Sequence, residues 1–194
     1  MEHRFIGRTK KIVLSQVDFK EYFEFYRDFI CPYRYLYTLE DNTKIEIKFH
    51  EEYFSHLLGL HYFKSINKDK KSQEINNEIL NGKINFKKLM ALDTNILTTE
   101  LRDRITYFPV LKTILENTDT AFKYNLNVIW NSKIEFSFLF KTNKISVLIY
   151  LAVKEVSKNK KVCVPISLLV DRNDRFSKMG LEKINITERK IIEK

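Results

Sequence analysis

Tyr33-Arg34-Tyr35-Leu36-Tyr37-Thr38-Leu39, then Glu40-Asp41-Asn42-Thr43, then Lys44-Ile45-Glu46-Ile47-Lys48-Phe49: two alternating runs flank a polar tetrapeptide. Alternation with a period of two and a short polar break is the pattern of a β-hairpin. In the second run Ile45, Ile47 and Phe49 turn inward, while Lys44, Glu46 and Lys48 turn out. Just upstream, Pro32 stops a helix over Ser15–Phe29, in which Val17, Phe19, Tyr22, Phe23, Tyr26 and Phe29 recur at helical spacing after a Ser15 cap. One amphipathic stripe accounts for all of these aromatics, which makes them core and not a base-stacking platform.

Downstream, Phe49 to Phe63 gathers His50, His56 and His61 around a short helix that closes on Gly59. A Lys-rich loop over Ile66–Ser72 follows. Helical spacing then returns over Glu74–Leu80, stopped by Asn81-Gly82, and over Asn85–Leu92, Thr98–Tyr107 and Val110–Leu115. The last third changes character. Runs at Val128–Trp130, Lys133–Lys141, Ile145–Val156, Lys161–Val170 and Leu181–Thr187 are β-branched or aromatic with short connections, which predicts an antiparallel meander of about four strands. The class is α+β: an N-terminal hairpin and helical block packed on a C-terminal sheet. We expect one domain over 1–194, with 1–127 mainly helical plus the hairpin and 128–187 forming the sheet.

The chain has 194 residues, a hydrophobic fraction of 44% and a formal net charge of +9, enough apolar matter for a core. Lys and Arg are spread along its whole length. Such charge suits a phosphate-backbone partner, and equally suits a solvated Lys-rich surface that reflects codon usage. Cys31 and Cys163 lack metal-ligand spacing and read as buried thiols in a reducing compartment. No secretory leader or bilayer-length apolar run is visible, since the longest, Val147–Val153, is of strand length; the expected location is the cytoplasm.

Glycine-rich phosphate loops, H-E-x-x-H and G-x-S-x-G motifs do not occur. The carboxylates show no converging pair, and His50, His56 and His61 are spaced six and five apart, which on a helix sends their rings in different directions. No metal or cofactor is expected. Metal-independent RNA cleavage asks for less: a proton acceptor, a proton donor and a cation for the phosphorane. His56 is the candidate acid or base, with Glu52 one turn earlier to fix its tautomer; the plainer reading is a histidine packing beside Leu57 and Leu60. His61 follows as a substrate contact, and His50 as a helix cap. Arg104 can hold phosphate, and Tyr107 can donate a hydrogen bond or stack on a base, against the commoner reading of an Arg-Asp surface helix. Alternation puts Cys163, Pro165, Ser167 and Leu169 on one face, with Pro165 marking an edge or bulge that aims Ser167. Lys141, ending its strand, is a further electrostatic candidate.

Four segments together resemble a known family: Phe54-Ser55-His56-Leu57-Leu58-Gly59-Leu60, Glu78-Ile79-Leu80-Asn81-Gly82-Lys83-Ile84, Arg104-Ile105-Thr106-Tyr107-Phe108-Pro109 and Pro165-Ile166-Ser167. Their order and spacing look like the fourth phage-associated group of nucleases named for likeness to Barnase, EndoU, colicin RNases and RelE. The resemblance runs from about residue 33 to residue 187. It implies N-terminal helices on a four-stranded antiparallel sheet, and a metal-independent RNase acting in conflicts between phages, mobile elements and hosts. It also implies that His56 is the motif histidine, with Arg104 and Ser167 at later motif positions. Ser55 stands where the family often has proline, and Leu168-Leu169 where it has an aromatic pair. The expectation is an endoribonuclease that cleaves cellular RNA, tRNA among it, by 2′-hydroxyl attack, with a cognate antitoxin or immunity protein as partner. The alternative is a non-catalytic RNA-binding or protein-interaction module of the same fold.

Overall fold

Asp18, and not Ser15, starts the first helix. In the computed structural model, which describes residues 3–67, 69–93, 97–124, 136–157, 161–173, 175–178 and 180–194, helix α1 runs Phe19–Phe29. The Asp18 carboxylate accepts from the amides of Lys20 at 2.9 Å and Glu21 at 3.3 Å, taking up donors that the first turn leaves free. Ser15 falls in a separate 3₁₀ turn, Leu14–Gln16. The buried face of α1 is Phe19, Tyr22, Phe23, Phe25 and Tyr26, as the spacing predicts.

The hairpin forms as read. Strands β1 (Tyr33–Leu39) and β2 (Lys44–Lys48) pair antiparallel with Tyr35 opposite Ile47 and Tyr37 opposite Ile45. Asn42 supplies the left-handed position of the turn at φ 62°. Tyr35, Tyr37, Leu39, Ile45, Ile47 and Phe49 are all buried.

A helical block follows: α2 (Phe54–Leu58), α3 (Ser72–Leu80), α4 (Phe86–Leu92), α5 (Thr99–Tyr107) and α6 (Leu111–Asn117). Three 3₁₀ turns, Glu51–Tyr53, Leu60–Tyr62 and Phe108–Val110, bend the chain between them. Phe108 ties the block to α1, with its ring stacked on Tyr22 at 5.3 Å and edge-on to Phe54 at 5.5 Å. Such pairs add about 0.5–1.5 kcal/mol each beyond the area they bury. Five successive residues of α6, Leu111 to Leu115, are buried, so this helix is covered on every side. The Tyr37 hydroxyl donates to the Leu115 carbonyl at 2.8 Å, fastening α6 to the hairpin.

The sheet departs from the expected meander. Strands β3 (Thr120–Lys123), β4 (Phe138–Lys141), β5 (Ile149–Ser157) and β6 (Val162–Val170), the short helix α7 (Arg175–Lys178) and β7 (Glu182–Glu193) complete the chain. The strands close into a barrel in the order β1-β2-β6-β5-β4-β3-β7, so the hairpin belongs to the same sheet as the C-terminal strands. Closure uses two junctions. β2 and β6 meet in a short parallel bridge, Glu46 opposite Val162 and Ile47 opposite Cys163, while β7 pairs antiparallel with both β1 and β3. β7 runs on past Thr187 to Glu193 because main-chain hydrogen bonds hold it, although its second half is exposed and lacks an apolar alternation. The expected run at Val128–Trp130, and the start of that at Lys133–Lys141, lie outside the described residues.

One face of the sheet joins the helices in the main core; the other carries a smaller cluster of Phe122, Phe136, Leu139, Tyr150, Ala152, Phe176 and Leu181. Burial pushes both thiols, Cys31 and Cys163, up to about 12, which leaves them unreactive. Among the described residues no helix is long and apolar enough to cross a membrane.

Candidate active site

Gly59 reverses the chain. It ends α2 at φ 74° and ψ 30°, its amide donating to the His56 carbonyl at 2.9 Å, and the next 3₁₀ turn begins at once. On a continuing helix His61 would point roughly 140° away from His56. The left-handed residue brings it back instead: the two imidazoles stack with centroids 4.8 Å apart and planes 19° from parallel. The expectation that the histidine rings diverge therefore fails for this pair. It holds for His50, whose ring lies against Tyr53 at 5.8 Å and whose side chain caps nothing. His3 is held among Phe5, Phe25 and Phe29.

Arg104, on α5, comes in against the same turn. A Cβ on Gly59 would lie 3.0 Å from Arg104 Nη1, 3.0 Å from Leu101 Cδ1 and 3.2 Å from Tyr62 Cδ2. Glycine is thus required twice over here, for its backbone conformation and for the space it leaves. Arg104 is only 8% exposed, and its Cζ lies 5.7 Å from the centroid of the Tyr62 ring. Among the described residues it has no carboxylate partner, and its Nε has no hydrogen-bond acceptor. The adjacent Asp103 gives both carboxylate oxygens to Arg172, at 2.8 and 2.7 Å. Lys112 makes the contrast: it is equally buried, but its Nζ has Glu116 at 3.4 Å and the Tyr33 ring at 4.3 Å. Burying a cation without a counter-charge costs several kcal/mol, and here α5 bears it.

That charge reaches the histidines. Burial, and then Arg104, lowers the His56 pKa. Burial, then His56 and Arg104, lower His61 to about 4. Near neutral pH both rings are uncharged and can accept a proton. The cluster thus holds two neutral imidazoles and a guanidinium that has the Tyr62 side chain beside it but no carboxylate partner among the described residues, and whose forked donors match phosphate oxygens.

The other sequence candidates lie elsewhere. Glu52 sits in the 3₁₀ turn before α2, where its carboxylate accepts a hydrogen bond from the Tyr53 hydroxyl. Tyr107 is buried one turn past Arg104, near Asp103 and with Lys11 Nζ 5.9 Å from its ring; burial, then Asp103, raises its pKa. Ser167 is buried with no hydrogen-bond partner for its Oγ among the described residues. A register shift sets Val153 opposite Pro165 but Ala152 opposite Ser167, so Ser167 faces the smaller cluster, whereas Leu168 faces the main core. The face shared by Cys163, Pro165, Ser167 and Leu169 is thereby split, although α2 and α5 both pack on β6. Lys141 ends β4 opposite Thr120. Tyr62 was missed by sequence reasoning. Its only signal is its place next to His61. Among the described residues no three His, Cys, Asp or Glu side chains group to hold a metal.

The profile of one family, described as phage-Barnase-EndoU-ColicinE5/D-RelE like nuclease 4 (PBECR4), matches residues 18–191, a span that contains His56, Gly59, His61, Tyr62 and Arg104. No curated protein and no solved structure matches the chain.

Proposed function

Since the chain belongs to the phage-Barnase-EndoU-ColicinE5/D-RelE like nuclease 4 family, we propose that it is an endoribonuclease that cleaves by 2′-hydroxyl attack without a metal ion, with His56, His61 and Arg104 at its centre. The observation that carries this reading is Arg104: a buried guanidinium without a counter-charge, beside two stacked imidazoles. Such a site is short of one anion, and a phosphodiester supplies it.

In this reading the scissile phosphate lies on Arg104, which offsets the charge that builds on the phosphorane. One neutral imidazole takes the proton of the 2′-hydroxyl. The 2′-oxygen then bonds to phosphorus, the bond to the 5′-oxygen breaks, and the other imidazole delivers a proton to that oxygen. The second ring holds its proton once the bound phosphate, an anion beside it, offsets the burial and the nearby positive charge that depress it. The products are a 2′,3′-cyclic phosphate and a 5′-hydroxyl. The net charge of +9 favours a polyanion, and the family's phage association supports a role in conflict between phages, mobile elements and hosts. Cellular RNA, tRNA included, is then the substrate, in the cytoplasm, with a cognate antitoxin or immunity protein as partner.

The test is incubation of total RNA with the protein in chelator, wild type beside His56→Ala and His61→Ala. Cleavage that persists in chelator and disappears in the variants supports the proposal. RNA that is bound yet cut by none of the proteins, with or without divalent ions, overturns it and leaves the non-catalytic binding module.

A further inference from the structure

We propose that the open face of Tyr62 stacks an unpaired nucleobase beside the phosphate on Arg104, so that the substrate is single-stranded or looped-out RNA. The inference rests on the nuclease reading above and adds the class of RNA. It starts from exposure. The aromatic residues of this chain line its cores, and among the described residues Tyr62 is the one Phe, Tyr or Trp side chain that counts as exposed, at 51%. An isolated surface aromatic would mean little. This one belongs to the cluster: its ring lies 4.2 Å from the His61 ring, and Arg104 Cζ is 5.7 Å from its centroid.

Its placement is costly in two ways. The turn that presents Tyr62 needs a left-handed Gly59, and a side chain on Gly59 would meet Tyr62 Cδ2 at 3.2 Å. The chain therefore holds a large apolar ring half in water when a polar residue at the same position would be better solvated. An exposed π-face one sugar's reach from a phosphate-binding cation is the arrangement that captures a nucleotide by base and phosphate together. The base must be unpaired. In an A-form duplex the base faces are stacked on one another, and side chains meet only phosphates, 2′-hydroxyls and groove edges. Stacking uses the π-face that every base has, so the subsite is tolerant of sequence.

Affinity for short RNAs with 2′-fluoro riboses, which bind but cannot be cut, tests the proposal. The ligands are oligoadenylate, its duplex with oligouridylate, and the same sugar-phosphate chain without bases. Wild type is expected to bind the single strand more tightly than the duplex, and Tyr62→Ala to lose about tenfold to a hundredfold on the single strand. Tyr62→Phe keeps the ring and should bind as wild type does. On the base-free chain Tyr62→Ala and wild type should be equal. Equal losses on the intact and base-free chains would show that Tyr62 only shields Arg104, and would overturn the stacking proposal, as would equal affinity for duplex and single strand. Arg104→Met reports separately on the underlying reading: if it binds all three ligands as wild type does, the phosphate is not on Arg104 and the nuclease site itself is misassigned.

Discussion

His56 and His61 stack ring on ring at 4.8 Å although five positions separate them, because Gly59 turns the chain back on itself between them. The stack brings two titratable rings into the electrostatic field of Arg104, and each of these residues leads to an expectation of its own.

Arg104→Met should separate stability from activity. The substitution removes an uncompensated buried charge and keeps an apolar stem of similar length, so the folded state is expected to gain on the order of 1–3 kcal/mol. Cleavage should fall by about 10²–10³-fold, the usual loss when a transition-state charge loses its partner. Thermal unfolding and an RNA cleavage assay check the two halves. A lower melting temperature would mean that Arg104 has a stabilising partner after all.

The histidine titrations should move with Arg104 and with anions. Both imidazoles are depressed by burial and by this guanidinium, so Arg104→Met should raise both pKa values toward the ordinary 6.5. Added inorganic phosphate should raise them in the wild type and leave them unmoved in the variant. The imidazole C2–H resonances followed by NMR over pH decide this, and unchanged curves in Arg104→Met would refute the coupling.

Stability should decline on mild acidification. Partial burial, then His56 and Arg104, push His61 down to about 4 in the folded protein from the 6.5 of a free imidazole, so between those values the unfolded state binds more protons. Its contribution is therefore intact above about 6.5, is lost as pH falls through the window, and is constant below about 4. Urea midpoints across this range should slope less in His61→Gln than in wild type. Parallel slopes would count against the depressed imidazole.

Gly59→Ala and Gly82→Ala should differ in kind. Both glycines have positive φ, 74° and 68°, so both alanines pay the left-handed strain of about 1–2 kcal/mol. Nothing lies within 4 Å of a Cβ at Gly82, whereas one at Gly59 meets Arg104, Leu101 and Tyr62. Gly82→Ala should lose stability alone. Gly59→Ala should also lose cleavage and shift the His61 titration, and equal behaviour of the two variants would deny Gly59 its positioning role.

Much of the fold could be read from periodicity. The hairpin and helices α1, α3 and α4 follow from apolar spacing, because each buries one face, and the same spacing marks α5 and α6 although these are buried more widely. The closing of the sheet could not be read so: β7 pairs with β1 and β3 through the main chain, and its outer half from Glu188 to Glu193 is polar or exposed. At the site the types of residue were visible, but their meeting was not. The His56–His61 contact depends on a left-handed glycine, and the isolation of Arg104 depends on Asp103 turning to Arg172 from across the fold. Ser167 misled for a related reason, since one extra residue at Ile166 reverses the face that alternation assigns.

The twelve-residue strand Glu182–Glu193 lies between β3 and β1. During synthesis, therefore, the hairpin made first has its β1 edge unfilled until residues 182–193 are available to pair with it. Pairing across so long a stretch of sequence is slow to nucleate. The barrel is thus closed by the last of its strands to be made, and every earlier element must wait for that strand to reach its final sheet neighbours.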